Sequence, residues 1–171
     1  MANVEKHLGP VDILLNAAGV TRYNSFGAEK SIDAWWRVLE VNVRGCISLI
    51  HAVLPSMLAR QAGTSSSVSS TSGSQDIPFN TAYAVSKAAM NKFHQDLHVE
   101  IADRGIASFA VHPGSVPTDL AKSEGALNIE TVGTTPRMQE IMGKFQDLDY
   151  QKLELSAYTF VALCVEEEVK R

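Results

Sequence analysis

Only two of the 171 residues are cysteines, Cys46 and Cys164, and each lies in an apolar, helix-like run. That excludes a disulfide scaffold and leads us to expect buried thiols in a reducing compartment. Basic clusters are missing too, and the formal net charge is −4. Neither a nucleic-acid surface nor an anionic-membrane surface is therefore expected. Residues 1–10 lack the basic-then-apolar layout of a signal peptide. No apolar run approaches the roughly 18 residues of a membrane span. These absences lead to the expectation of a cytoplasmic protein with no membrane partner. Internal repeats are absent as well. What is present, 45% hydrophobic and 20% charged residues, suits one globular domain large enough for a real core.

Val11 to Ala17 is a short apolar run between Gly9-Pro10 and Gly19. It reads as a strand buried on both faces, of the kind parallel sheets use. Ser31 offers an N-cap, Asp33 suits a first helical turn, and a helical pattern runs to about Arg60. Pro55 is expected to end or kink that helix. The stretch from Ala62 to Gly73 is so rich in serine that composition alone makes it a flexible linker. Thr81 to about Arg104 reads as a second long helix, with Gly105 where a glycine cap belongs. Ile106 to Val111 is a further strand, ended by Pro113-Gly114. The chain then turns polar and irregular after Thr118, and Leu153 to Val169 predicts a closing helix. Strands alternating with helices are the rhythm of an α/β parallel sheet.

Tyr83 and Lys87 are spaced i, i+4, which places them on one face of the second long helix. A free tyrosine ionises near pH ~10 and is a poor proton shuttle at neutrality. A lysine charge about 4 Å away supplies roughly 4 kcal/mol at an effective dielectric near 20, enough to bring a phenol close to neutrality. In open water it supplies only about 1 kcal/mol, so the pair needs shielding. His94 and His98 are also one turn apart, but no third metal ligand is evident. A solvated or interface face is the expectation there. Trp35 and Trp36 are adjacent, so one is expected to pack and the other to meet a partner.

Four landmarks occur in order, each near the end of a strand or in the helix after it. They are Asn16-Ala-Ala-Gly19, Asn42, Ser70 ahead of Tyr83 and Lys87, and Pro113-Gly-Ser-Val-Pro-Thr118. In open parallel sheets that edge is where ligands bind. In order and spacing the chain resembles the short-chain dehydrogenase/reductase family over nearly all of its length. Asn16-Ala-Ala-Gly19 stands where the family has Asn-Asn-Ala-Gly, and Ser69-Ser70-Thr-Ser-Gly73 matches its Ser-Ser-x-x-Gly.

The resemblance implies an α/β, Rossmann-like, doubly wound parallel sheet. It also implies hydride transfer between NADP or NAD and a carbonyl or secondary alcohol. Tyr83 would exchange the proton at the substrate oxygen, and Lys87 would lower its pKa and hold the nicotinamide ribose. Ser70 would polarise the carbonyl, and Asn42 would anchor a proton-relay water beside the lysine. Val116 and Thr118 would meet the nicotinamide carboxamide, with Pro113 and Gly114 shaping that loop. Asn16 and Gly19 would support the strand end and the adenosine side of the cofactor. No catalytic metal is implied. A homo-oligomer formed through the helices at 31–60 and 81–104 is implied by family habit.

The chain also departs from the family. No Gly-x-x-x-Gly-x-Gly occurs in it, and its first strand matches the family's fourth. The expectation is a single truncated domain over 1–171, lacking the family's first three strands and its last. Its substrate loop would lie at about 121–146, where no cue to the substrate is visible. The residues that choose between NAD and NADP are not in the chain. Val11 to Ala17 would then present a bare apolar edge. A catalytically inactive fragment or partner subunit, unable to bind the dinucleotide, is the alternative. Thr64 to Ser69, where the resemblance places a buried strand, is mostly serine. Each unpaired buried hydroxyl costs roughly 1–3 kcal/mol, so a loosened Ser70 is expected.

Overall fold

The structure is a computed structural model and describes residues 2–122, 136–137, 139–140 and 151–165. Three strands form one sheet in the order β1 (Ile13–Asn16), β2 (Gly63–Val68) and β3 (Ile106–Val111). Both pairings are parallel, with Asn16 opposite Ser67 and Ser67 opposite Ala110. The C-terminal ends of all three strands therefore share one edge.

The helices are α1 (Ala2–Leu8), α2 (Ile32–Leu39), α3 (Cys46–Arg60), α4 (Thr81–Ile101), α5 (Asp119–Lys122) and α6 (Leu153–Val165). Ser31 caps α2 from an extended backbone, its hydroxyl accepting from the Asp33 amide at 3.2 Å. A π-helical turn over Glu40–Gly45 joins α2 to α3 without a break. Pro55 does not end the helix: α3 runs through it to Arg60. By length and composition the joined helix Ile32–Arg60 meets the requirement for a membrane span, which the sequence did not lead us to expect. Its buried residues Asn42, Ile50, Val53 and Met57 instead tie it to the site and the core. At the end of α4 the chain tightens and turns at Gly105, with φ of 69°. A Cβ there would strike the Gln61 carbonyl oxygen, so conformation and space both require glycine.

The core lies between the sheet and the two long helices. It contains Ile50, Val53 and Met57 of α3, Leu97 and Ile101 of α4, and Ile106 of β3. Each such side chain contributes roughly 1.5–3 kcal/mol over its exposed state. The expectation that the first strand is buried on both faces is not met. Strand alternation turns Leu14 and Asn16 toward the helices, whereas Ile13 and Leu15 on the other face are 45% and 47% exposed. Among the described residues β1 pairs only with β2, and no element covers Ile13 and Leu15. The serine-rich segment is no linker: it is the central strand, and Thr64, Ser65, Ser66 and Ser67 are all buried.

Cys46 and Cys164 are both buried and form no disulfide, as expected. Trp35 donates to the Thr81 hydroxyl at 3.0 Å, while Trp36 lies 53% exposed. The closing helix is described to Val165. Residues 166–169, and most of the stretch at 121–146, lie outside the described residues.

Candidate active site

One face of α4 presents the candidate residues, because i, i+4 spacing stacks Tyr83, Lys87 and Asn91 above one another. Lys87 is only 4% exposed. Its ammonium donates to the Val68 carbonyl at 2.7 Å and sits 5.3 Å from the centre of the Tyr83 ring. Burial lowers the Lys87 pKa, and the nearby Cys46 thiol opposes that shift. Cys46 itself is pushed up by burial and pulled down by the Lys87 charge. Burial also raises the Tyr83 phenol above its ordinary value, while a hydrogen bond with Ser70 pulls the other way. Tyr83, Lys87 and Ser70 are thus brought together.

Ser70 is placed by the turn after β2. It is extended, and its hydroxyl oxygen accepts from the Ser72 amide at 3.1 Å, capping a 3-10 turn over Thr71–Gly73. Gly73 lets this turn lie directly on α4. A Cβ there would come within 2.8 Å of the Ala88 nitrogen and the Lys87 carbonyl carbon. Polar contacts from α4 hold the strand end beside Ser70, with Asn91 accepting from the Ser69 hydroxyl and Lys87 donating to the Val68 carbonyl.

Asn42 lies in the π-helical turn and is 1% exposed. Its amide nitrogen donates to the Val20 carbonyl at 2.9 Å and to Ser86 Oγ at 3.0 Å. Its oxygen accepts from the Val20 amide at 2.8 Å. Ser86 in turn donates to the Tyr83 carbonyl at 2.7 Å. The asparagine therefore fixes the loop after β1 against α4. A Cβ on Gly19 would stand 3.5 Å from Asn42 Oδ1 and 3.9 Å from Lys87 Nζ. Gly19 thus puts no side chain of its own against Asn42 or the lysine. Asn16 is buried and donates to Ser67 Oγ at 3.3 Å, so it braces the strand end from inside.

Pro113, Gly114, Val116 and Thr118 follow β3 on the same edge of the sheet. Ser156 of α6 donates to the Pro113 carbonyl, and the Gln151 amide donates to the Ser115 carbonyl at 2.7 Å. Gly114 turns at φ of 80°, and a Cβ would strike the Gln151 side chain. The Thr118 amide donates to the Val116 carbonyl at 2.8 Å, tightening the loop.

Two groups near the centre carried no sequence signal. Tyr23 is a second phenol, raised chiefly by burial and then by the Tyr83 charge, with a hydrogen bond to Asn80 opposing. Cys46 stands one turn beyond Asn42, and its thiol feels the Lys87 charge, which only the packing of the joined helix against α4 reveals. His94 corrects an expectation. It does not belong to a solvated face: it is 1% exposed, its Nδ1 2.8 Å from Ser108 Oγ and its Nε2 2.8 Å from Ser67 Oγ. Both ring nitrogens are thereby engaged. Burial drops its pKa to about 4.

A buried ammonium, a phenol and a serine hydroxyl therefore meet at the C-terminal edge of the sheet. Comparison with known proteins shows which family this chain falls in. A sequence model described as short chain dehydrogenase matches residues 1–128. The chain belongs to the short-chain dehydrogenase family. It is 41% identical to a short chain dehydrogenase of Pseudocercospora fijiensis, over 99% of this chain and 55% of that protein. It is 37% identical to the rat dehydrogenase/reductase SDR family member 7B, over 70% of this chain and 37% of that protein. The crystal structure of a short-chain dehydrogenase from Streptomyces avermitilis superposes with a TM-score of 0.76 at 29% identity, covering 97% of this chain and 61% of that one. The chain therefore spans about half the length of the Pseudocercospora relative.

Proposed function

We propose that this chain carries the proton-transfer centre of an NAD(P)-dependent oxidoreductase acting on a carbonyl or secondary alcohol. The observation that carries the reading is the convergence of Lys87, Tyr83 and Ser70 at the C-terminal edge of a parallel sheet. A bound nicotinamide would supply the hydride. Tyr83 would hold the proton that passes to the substrate oxygen, and Ser70 would donate to that oxygen as charge develops on it. Lys87 would hold the nicotinamide ribose and favour the phenolate as the proton leaves. Asn42 would keep the Gly19 loop clear of the lysine and, through its oxygen, hold a relay water. Asn16 and Gly19 would line the adenosine side, and Pro113 to Thr118 the carboxamide side. Exposed Trp36 and Leu49 on the joined helix and Val85 and Val99 on α4 suit a homo-oligomeric contact through the two long helices.

The test is titration of the purified chain with NADH and with NADPH, following nicotinamide fluorescence, and then turnover with a panel of ketones and aldehydes. Saturable binding by either cofactor followed by turnover is expected. No binding at millimolar cofactor would defeat the proposal for this chain and favour a catalytically inactive one.

A further inference from the structure

Three consecutive residues at the end of β2 are each held by a different residue of α4, and Ser70 follows them beside Tyr83. Ser67 Oγ meets His94 Nε2 at 2.8 Å, and the Val68 carbonyl accepts from Lys87 at 2.7 Å. The Ser69 hydroxyl donates to Asn91 Oδ1, and Ser70, whose own hydroxyl donates to Ser72 Oγ at 3.0 Å, lies near enough to the Tyr83 phenol to oppose the rise in its pKa. The partners Tyr83, Lys87, Asn91 and His94 follow one another at helical spacing along a single face. Strand end and helix are therefore locked in register by polar contacts.

Asn91 is the member nearest Ser70 that the proposed chemistry does not use. Its oxygen holds Ser69, the residue before Ser70. Its nitrogen abuts Gly73, close enough that a Cβ on Gly73 would come within 2.7 Å of it. One carboxamide thus touches both ends of the loop that presents Ser70. Ser69, Ser70, Thr71, Ser74 and Asn91 border an open cavity of about 550 Å³, so the loop has room to move if its polar tie is cut.

We propose that Asn91 is a positioning residue, which clamps Ser69 and abuts Gly73 so that Ser70 stays at the Tyr83 phenol. This rests on the reading of Ser70 and Tyr83 as parts of one proton-transfer site. The backbone bond from Ser72 to the Ser70 oxygen sets the shape of the turn. Asn91 sets where that turn sits on the helix.

The experiment follows the Tyr83 ring by NMR, in cofactor-free chain isotopically labelled at tyrosine Cζ, as pH is raised. The resonance is assigned by its loss in Tyr83→Phe. Ser70→Ala provides the reference and should move Tyr83 ionisation upward. Asn91→Ala should reproduce most of that upward move and add nothing in a Ser70→Ala background. Ser69→Ala cuts the same tie from the loop side, and so carries the test if Asn91→Ala folds poorly. Ser69→Thr keeps the hydroxyl and should restore the wild-type titration. If Ser70→Ala moves Tyr83 while Ser69→Ala and folded Asn91→Ala do not, the inference is overturned and the site reading stands. An undiminished effect of Asn91→Ala in the Ser70→Ala background would also overturn it, because Asn91 would then act by another route. If Ser70→Ala leaves Tyr83 unmoved, the site reading falls and the inference falls with it.

Discussion

Lys87 donates its hydrogen bond to the Val68 carbonyl at 2.7 Å, and its ammonium lies 5.3 Å from the centre of the Tyr83 ring. The lysine is thus bound to the strand end. In this state burial outweighs the Ser70 hydrogen bond, and the phenol rests above its ordinary value. The cofactor-free chain should show Tyr83 ionising above a free tyrosine in an ultraviolet difference titration against Tyr83→Phe. Ionisation near neutrality without cofactor would contradict this arrangement.

Much of this was legible in the sequence because local rules agree with the tertiary result. The Ser31 cap, the helix from Thr81, the Gly105 turn and the strand at Ile106–Val111 all depend on neighbours within a few residues. The i, i+4 spacing of Tyr83 and Lys87 likewise needed only a helix. Other features were hidden because they depend on packing between distant segments. The serine run reads as a linker on composition, and only the family resemblance placed a strand there; its polar partners His94, Lys87 and Asn91 come from α4, far along the chain. Pro55 suggested a helix end or a kink; the helix continues through it, and a π-helical turn that no residue announced lies upstream around Asn42. Ile13 and Leu15 looked like core residues, since an apolar run does not reveal whether its second face is covered.

His94 makes stability depend on pH. Its folded-state pKa, about 4, lies below the ordinary value of 6.5, because charging it would strand a cation among Ser67, Ser108 and the core. As pH falls the unfolded chain takes up this proton first. The contribution is therefore complete above pH 6.5 and is lost between 6.5 and about 4. The loss amounts to about 3 kcal/mol across that window. Urea unfolding at a series of pH values should show the slope, and His94→Gln should flatten it. An unchanged slope in that variant would assign the dependence to other groups.

Thr64 Oγ1 is buried without a hydrogen-bond partner among the described residues, as are the hydroxyls of Ser65 and Ser66. Removing an unpaired hydroxyl while keeping the shape removes its desolvation cost. Thr64→Val should therefore raise stability by about 1 kcal/mol, seen as a higher urea midpoint at unchanged slope. A loss of similar size would mean that the hydroxyl has a partner in solution.

The central claim is that Tyr83 carries the proton while other residues bind and orient. The most direct measurement is carbonyl reduction by wild type and Tyr83→Phe, with NADH and NADPH affinities measured in parallel. The substitution keeps the ring over Lys87 and removes only the hydroxyl. Turnover should fall by roughly 10²–10⁴-fold, while cofactor affinity stays within a few-fold of wild type. Turnover retained in Tyr83→Phe at equal cofactor binding would contradict the account.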